Sequence, residues 1–559
     1  MSRILFSLKN ASRKRILILA LLVNALFFGV FFLWMNPAFE TNDDIGMMLT
    51  SSGVRTGQPS EYLTFPNILI GTTLKFLYRH TTGINWYPIY LISIHFLAMV
   101  LILYSIVTLR RRWLSVLQYI LVFIFFEYPL LLRLQFTSTA IVTGIGGVCI
   151  FLTSLRRTTW ESWLYFGMAI LGIVTAGLIR EKVAYLVIVF AAPVLVMLFR
   201  ESKTYKIPVF LIASLSILFL CIRYDRSYYS RDPAWREFIE YNTIRGQLHD
   251  YPKLTFNEQT KPVFEKIGWD ENDFLMFHHR FFSDRIVYSK EKLAFVNDTL
   301  RNSRSVRDTL AIIVVRTMEN AVPVIVTFFF LLLSLIWTPG NQRRVIYIVA
   351  MTAMVLCIYF AYSARLPFRI YFPMVFFVNA LCIVFNGDFP YSKITQGSKK
   401  RRYFTYAAVV LLVVFLLPVQ LWIIHSTGTT NLKKNSQLRK ELQLLSPGQD
   451  NLYVVWGADA ITFSGTSPFS DLSEFANRNF VFSGRLNDPH GEPILRRLGI
   501  DNVYLAFEEC RHIFLVMNDN GEYPEMLKQF ILRHYRKKVE LRLLNRRGGM
   551  GIYTLGEVG

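Results

Sequence analysis

Long apolar runs separated by short charged stretches dominate the first 425 residues of the chain. A bilayer core of about 30 Å needs about 17 to 25 apolar residues per helix. Eleven runs meet or approach that length: Ile16–Met35, Trp86–Leu109, Trp113–Leu132, Phe136–Leu155, Trp163–Ile179, Val183–Phe199, Ile207–Ile222, Ala321–Trp337, Val345–Tyr362, Ile370–Phe385 and Tyr403–Ile424. The pattern predicts a mostly α-helical, polytopic membrane protein. From about Asn431 it changes. Short apolar runs at Leu452–Trp456, Asn479–Phe482, Val503–Phe507, Ile513–Met517 and Gly551–Thr554 are bounded by Gly, Asp and Asn and read as strands, while Tyr523–Tyr535 has helical spacing. The expected organisation is a transmembrane domain over 1–425, with external loops 36–85 and 223–307, and a small extracytoplasmic α/β domain over 426–559.

Charge supplies an independent test of the count, because Lys and Arg favour cytoplasmic loops. Basic clusters occur at Arg13-Lys14-Arg15, Arg110-Arg111-Arg112, Arg156-Arg157, Arg200 to Lys206, Arg343-Arg344 and Lys399-Lys400-Arg401-Arg402. With eleven spans and the N-terminus inside, all six fall on one side, and the C-terminus lies outside. Sixty-one Lys and Arg against 39 Asp and Glu give a net charge of +22, yet only 18% of residues are charged. That is below the ~25% of soluble domains and argues against a nucleic-acid-binding surface. Four of the five cysteines lie in apolar runs, so no disulfide framework is expected. The first run is longer than a signal-peptide core and has no small-residue cleavage pattern, so it is expected to be retained.

Candidate chemistry starts directly after the first run, at Asn36-Pro37-Ala38-Phe39-Glu40-Thr41-Asn42-Asp43-Asp44. Adjacent carboxylates at a membrane edge can supply a general base and a neighbour that tunes its pKa. The segment Glu61 to Tyr78, with Pro66 near its start, has the mixture of an interfacial amphipathic helix. It places a base where a lipid-borne headgroup would arrive. Outward-facing cations remain at Arg133, at Arg180-Glu181-Lys182 and at Arg365 to Arg369. The second long loop is aromatic and basic, with Tyr241, Arg245, His278, His279 and Arg280 as candidate substrate contacts; the same mixture fits packed loop structure. His278-His279 lacks the i, i+4 spacing of a helical metal pair. Glu127 lies inside the third run, and Arg316 and Glu319 are spaced to pair with each other.

Taken in order, these features resemble the GT-C superfamily of integral-membrane glycosyltransferases. The resemblance covers residues 1 to 425 and rests on Asp43-Asp44 after the first span, Arg133-Leu134-Gln135-Phe136-Thr137 opening the fourth, Arg180-Glu181-Lys182 at the fifth, and Arg365-Leu366-Pro367-Phe368-Arg369-Ile370-Tyr371-Phe372-Pro373 late in the membrane region. It implies transfer of a hexose or pentose from a polyprenyl-phosphate carrier to a glycan, lipid or protein acceptor, with inversion. Asp44 is then the first candidate base and Asp43 the alternate; Arg180, Lys182, Arg365, Arg369 and Arg133 are candidates for the donor phosphate. The sequence departs from the family pattern at Gln135-Phe136-Thr137, where an acidic residue would provide a second carboxylate and a metal site. No cofactor is required by the sequence, and a divalent metal stays open. A lipid-linked polysaccharide polymerase or ligase is the alternative, kept by the second loop. A flippase would need deep charges or inverted repeats, and neither stands out. The expected setting is a bacterial inner membrane with undecaprenyl phosphate as carrier, the active site facing outward; a dolichol enzyme is the other setting.

Overall fold

The computed structural model describes residues 8, 11–81, 83–110, 113–155, 160–250, 254–300, 305–337, 340–363, 365–385, 403, 407, 410–446, 448–457, 461–476, 478–509, 512–518, 522–547 and 549–557. The clusters Arg111-Arg112, Arg156-Arg157 and Lys399 to Arg402, together with Cys510, lie outside the described residues. Among the described residues ten helices are long and apolar enough to cross a membrane, and one bent pair brings the total to eleven. Each corresponds in order to a predicted run. The protein is an integral, multi-pass membrane protein.

The fourth span, Phe136–Leu155, is the most enclosed. It packs between the second span, Trp86–Arg110, and the fifth, Trp160–Ile179. Close approach is possible because Gly147 faces Gly172: a Cβ on Gly172 would lie 2.8 Å from the Gly147 Cα. Small residues at such crossings let two backbones meet where lipid gives no hydrophobic drive. In the third span a π-helical turn, Phe123–Glu127, interrupts the α-helix. It sets Glu127 against His95 of the second span at 2.7 Å, both side chains fully enclosed. The eighth span is entered through a 90° bend from Val306–Glu319. That preceding helix leaves Val306, Leu310 and Met318 exposed, as suits a helix lying along an apolar surface. Arg316 and Glu319 do pair, at 2.6 Å.

The last membrane helix, Leu417–Leu442, runs unbroken beyond the predicted end at Ile424 and leads into a five-stranded sheet. Numbering strands along the chain, β1 is Ala38–Phe39 and β2 Arg133–Leu134, while the sheet holds β3 Gly448–Trp456, β4 Arg478–Phe482, β5 Ile513–Asn518, β6 Val539–Arg547 and β7 Met550–Glu557. Its order is β4-β3-β5-β7-β6, with β3 parallel to β4 and β5, and β7 antiparallel to both of its neighbours. The strand expected at Val503–Phe507 is instead part of a helix, Val503–Glu509. Asn502 caps it by accepting from the Tyr504 N–H at 2.9 Å, and the Tyr504 hydroxyl donates to the Phe281 carbonyl at 3.2 Å. Five apolar residues are too few for period to separate strand from helix.

The sheet does not pack alone. Leu452, Val454, Trp456 and Leu515 share a core with Phe264, Trp269, Phe277 and Tyr288 of the second external segment. The tail also grips the segment between the first and second spans. Both Asp488 oxygens accept from one Arg55 nitrogen, at 3.0 and 3.1 Å, and Oδ1 takes the Gly491 N–H at 2.7 Å. Burial alone would push Asp488 up; Arg55 and Arg485 outweigh it and hold the carboxyl below its ordinary range. A depressed folded-state pKa gives stability that is present above pH ~4 and lost as pH falls through the folded value. Asp488→Asn is expected to cost about 1.5–3 kcal/mol and to remove this acid-side loss. Thermal melting in detergent at pH 7 and pH 4 checks both effects.

Candidate active site

Pro37 cannot continue the first span, Arg13–Trp34, and the chain extends instead. Ala38 and Phe39 lie parallel to Arg133 and Leu134, and the Glu40 N–H donates to the Leu134 carbonyl at 3.1 Å. This two-stranded ladder joins the loop after the first span to the start of the fourth. The Phe39 N–H donates to the Thr466 carbonyl of the tail at 3.0 Å. A helix, Asn42–Ser52, follows, with Asp43 and Asp44 in its first turn, where the helix dipole favours negative charge. It stops at Gly53, whose φ of 83° suits glycine and whose missing side chain admits Pro59.

Asp44 is completely enclosed. Its Oδ1 accepts from the Tyr87 hydroxyl at 2.9 Å and from the Phe136 N–H at 3.0 Å, and its Oδ2 accepts from the Thr41 hydroxyl at 2.8 Å. The carboxyl thus ties the Asn42–Ser52 helix to the second and fourth spans. Burial is the largest influence on it, opposed by the Thr41, Tyr87 and Phe136 hydrogen bonds, and its pKa is pushed up to about 7. Asp43 is half-exposed and its charge adds to the upward push on Asp44.

The predicted cations separate into groups. Arg180 opens the sixth span, Glu181–Ser202, and lies over the rings of Phe65 and Phe136, 4.8 and 5.5 Å from their centroids. That seats it above the turn that holds Asp44. Glu181 pairs with Arg226 at 3.6 Å, and Lys182 is exposed. Arg133 lies over Phe368, 4.8 Å from the ring centroid, and the charges of Arg369, Arg133 and Arg316 all act on Glu40. Arg365 is exposed at the start of the same turn. A cavity of about 140 Å³ opens beside this group, bordered by Arg133, Glu319, Asn320, Phe368, Phe372 and Gln420.

The candidates of the segment 223–307 pack within it or join it to the tail. Tyr241 packs against the shared core, and Arg245 holds the Asn242 Oδ1 at 2.6 Å and lies over Phe282. The His278 carbonyl faces the His249 ring nitrogen at 3.0 Å; the His279 carbonyl accepts from the Trp456 Nε1 at 3.0 Å. Arg280 adopts a φ of 67°, and its carbonyl accepts from the Ser483 hydroxyl at 2.8 Å. Among the described residues the Asp44 carboxyl bonds Thr41, Tyr87 and the Phe136 N–H, and none of these five.

Sequence reasoning missed three contributors. Tyr87 and Thr41 hold Asp44, and Glu40 sits among the arginines with its carboxyl pushed up by burial against their pull. Glu40 had one signal, an acidic residue four before Asp44. Among the described residues no group of three or more His, Cys, Asp or Glu converges to hold a metal ion.

No family model matches the chain, and no curated protein sequence matches it. Among solved structures it is similar to ArnT from Cupriavidus metallidurans bound to undecaprenyl phosphate, with 11% identity and a TM-score of 0.51, covering 96% of this chain and 97% of that one. The apo state of that ArnT gives 12% identity and a TM-score of 0.41, over 95% and 96%. The first likeness establishes the architecture: this chain shares the polytopic fold of that ArnT.

Proposed function

We propose that the protein is a membrane glycosyltransferase that moves a sugar from a polyprenyl-phosphate carrier to a glycan, lipid or protein acceptor, with Asp44 as the general base. The observation that carries this reading is the enclosed Asp44 carboxyl, held by Tyr87, Thr41 and the Phe136 N–H with its pKa pushed up to about 7, and the seat of Arg180 over the Phe136 ring. The ArnT structure that shares the fold was crystallised with undecaprenyl phosphate, which supports the choice of carrier. A carboxylate offers about four lone-pair positions. Three of Asp44's are taken, leaving one on Oδ2 for an acceptor hydroxyl. The acceptor oxygen bonds to the anomeric carbon, its proton passes to Asp44, and the carbon–oxygen bond to phosphate breaks. Polyprenyl phosphate departs with the electron pair, and a single displacement inverts the centre, as in inverting glycosidases. The leaving group is already ionised, so no general acid is needed. The reading places the reaction at the outer face of a bacterial inner membrane.

The pKa supplies a test. A base works only when deprotonated, so kcat/KM is expected to rise tenfold per pH unit in acid and level off above an apparent pKa of about 7. For stability the sign is opposite. A carboxyl whose folded pKa is raised favours the fold below its unfolded value of ~3.9 and loses that contribution as pH rises through the folded one. A flat rate profile between pH 5.5 and 8.5 would remove Asp44 from the role of base.

A further inference from the structure

Beside Asp44 three buried polar atoms have no hydrogen-bond partner within the protein: Glu40 Oε2, Gln135 Nε2 and Ser138 Oγ. Buried polar groups are nearly always paired, and the exceptions call for a reason. The Gln135 amide is oriented by its surroundings. Its Oε1 accepts from the Thr137 N–H at 2.6 Å and the Ser138 N–H at 3.1 Å, so the oxygen must face the helix and the NH₂ must turn away. The ladder register puts Ala38 opposite Arg133 and Phe39 opposite Leu134, which makes Glu40 and Gln135 the next pair. Neighbouring strands are about 4.8 Å apart, and paired side chains share a face. The Glu40 N–H bond to the Leu134 carbonyl continues that register, so a buried acceptor and a buried donor stand on neighbouring residues of the ladder without bonding each other.

The backbone between them also sets an order. Arg133 borders the cavity, Gln135 follows, and the Phe136 N–H holds Asp44. On the donor reading, that order puts the transferred sugar between a phosphate at Arg133 and an acceptor hydroxyl at Asp44, alongside Gln135. The chemistry of the pair narrows its ligand further. Phosphate would suit Gln135 but be repelled by Glu40; an ammonium would suit Glu40 but be repelled by Arg133 and Arg369. A sugar hydroxyl, both donor and acceptor, satisfies the two together.

We infer that Glu40 and Gln135 grip the hydroxyls of the transferred sugar and set which sugar is accepted. The inference rests on the polyprenyl-donor reading above. Its test is binding to full-length protein in lipid nanodiscs of undecaprenyl phosphate, bare or carrying a hexose, a pentose or an N-acetylhexosamine. The measured quantity is the ratio of the bare-carrier Kd to that of the best sugar-loaded carrier. Glu40→Gln and Gln135→Glu keep size, and Gln135→Glu keeps an oxygen for the Thr137 and Ser138 N–H groups. Each is expected to lower the ratio at least tenfold while the protein still elutes and melts as a folded species. A smaller fall in either variant overturns the inference and leaves the donor reading intact, as does equal binding of bare and loaded carriers by the native protein. Failure of the native protein to bind undecaprenyl phosphate in any form overturns the donor reading and the inference with it.

Discussion

Asp44→Asn is expected to lower sugar transfer by about 10²–10⁴-fold, the range for loss of a general base, whereas Asp43→Asn should lower it less than about tenfold. The difference follows from placement. Asp44 is enclosed and touches Tyr87, Thr41 and Phe136, while its neighbour is half-exposed. The asparagine keeps the shape and can still accept from Tyr87 and Phe136 through its oxygen, so the ties between the external helix and the spans survive. It cannot take a proton. Above pH 7 the variant also lacks a buried charge, and it should melt no lower than the native protein. Initial rates of transfer from a polyprenyl-phosphate sugar, measured beside melting curves, give the answer. A folded Asp44→Asn protein working within tenfold of the native rate would end the proposal that this carboxylate is the base.

The membrane architecture was legible because a span needs little more than length and apolarity. Ile16–Met35 or Phe136–Leu155 announces itself whatever its neighbours are, and the bend before Ala321 altered the path of the chain without altering the count. The tail was harder to read. The strand Val539–Arg547 escaped notice because it is an edge strand with its middle and end exposed, so its charges hide the alternation. Val503–Phe507 was misread because its helix depends on the Asn502 cap and on Phe281, more than 200 residues away.

The site was readable in part for a related reason. Adjacent acids after a span are visible in sequence. Which one is enclosed depends on how Asn42–Ser52 lies against Tyr87 and Phe136, and that is a tertiary fact. Arg180 could be named as an outward cation, but its seat over Phe65 and Phe136 could not. Glu40 and Gln135 were invisible as a pair. Only a two-residue ladder brings them together, and two residues leave no periodic signal. Gln135 did mark itself by departing from an acidic pattern, and the structure places that departure beside the proposed base.

Removing the cations at the other end of the ladder should be the next most damaging change. The donor is a phosphodiester with one negative charge, and the leaving polyprenyl phosphate carries two, so charge grows at the phosphate as the bond breaks. Arg133 borders the cavity, the charges of Arg369 and Arg133 both act on Glu40, and the planar guanidinium can hold two phosphate oxygens at once. On the proposed reading their hold on the departing group is stronger in the transition state than on the bound donor, and only that difference accelerates the step. Arg369→Ala and Arg133→Ala are each expected to lower kcat by about 10²–10³-fold, as for loss of one preorganised donor, with a much smaller change in KM. Lysine at either position should restore part of the rate, since it returns the charge without the fork. Arg180→Ala provides the contrast: its guanidinium lies over the turn that holds Asp44, so its loss should also shift the acid limb of the rate profile. Rates within threefold of native in both Arg369→Ala and Arg133→Ala would mean that the phosphate leaves from somewhere else.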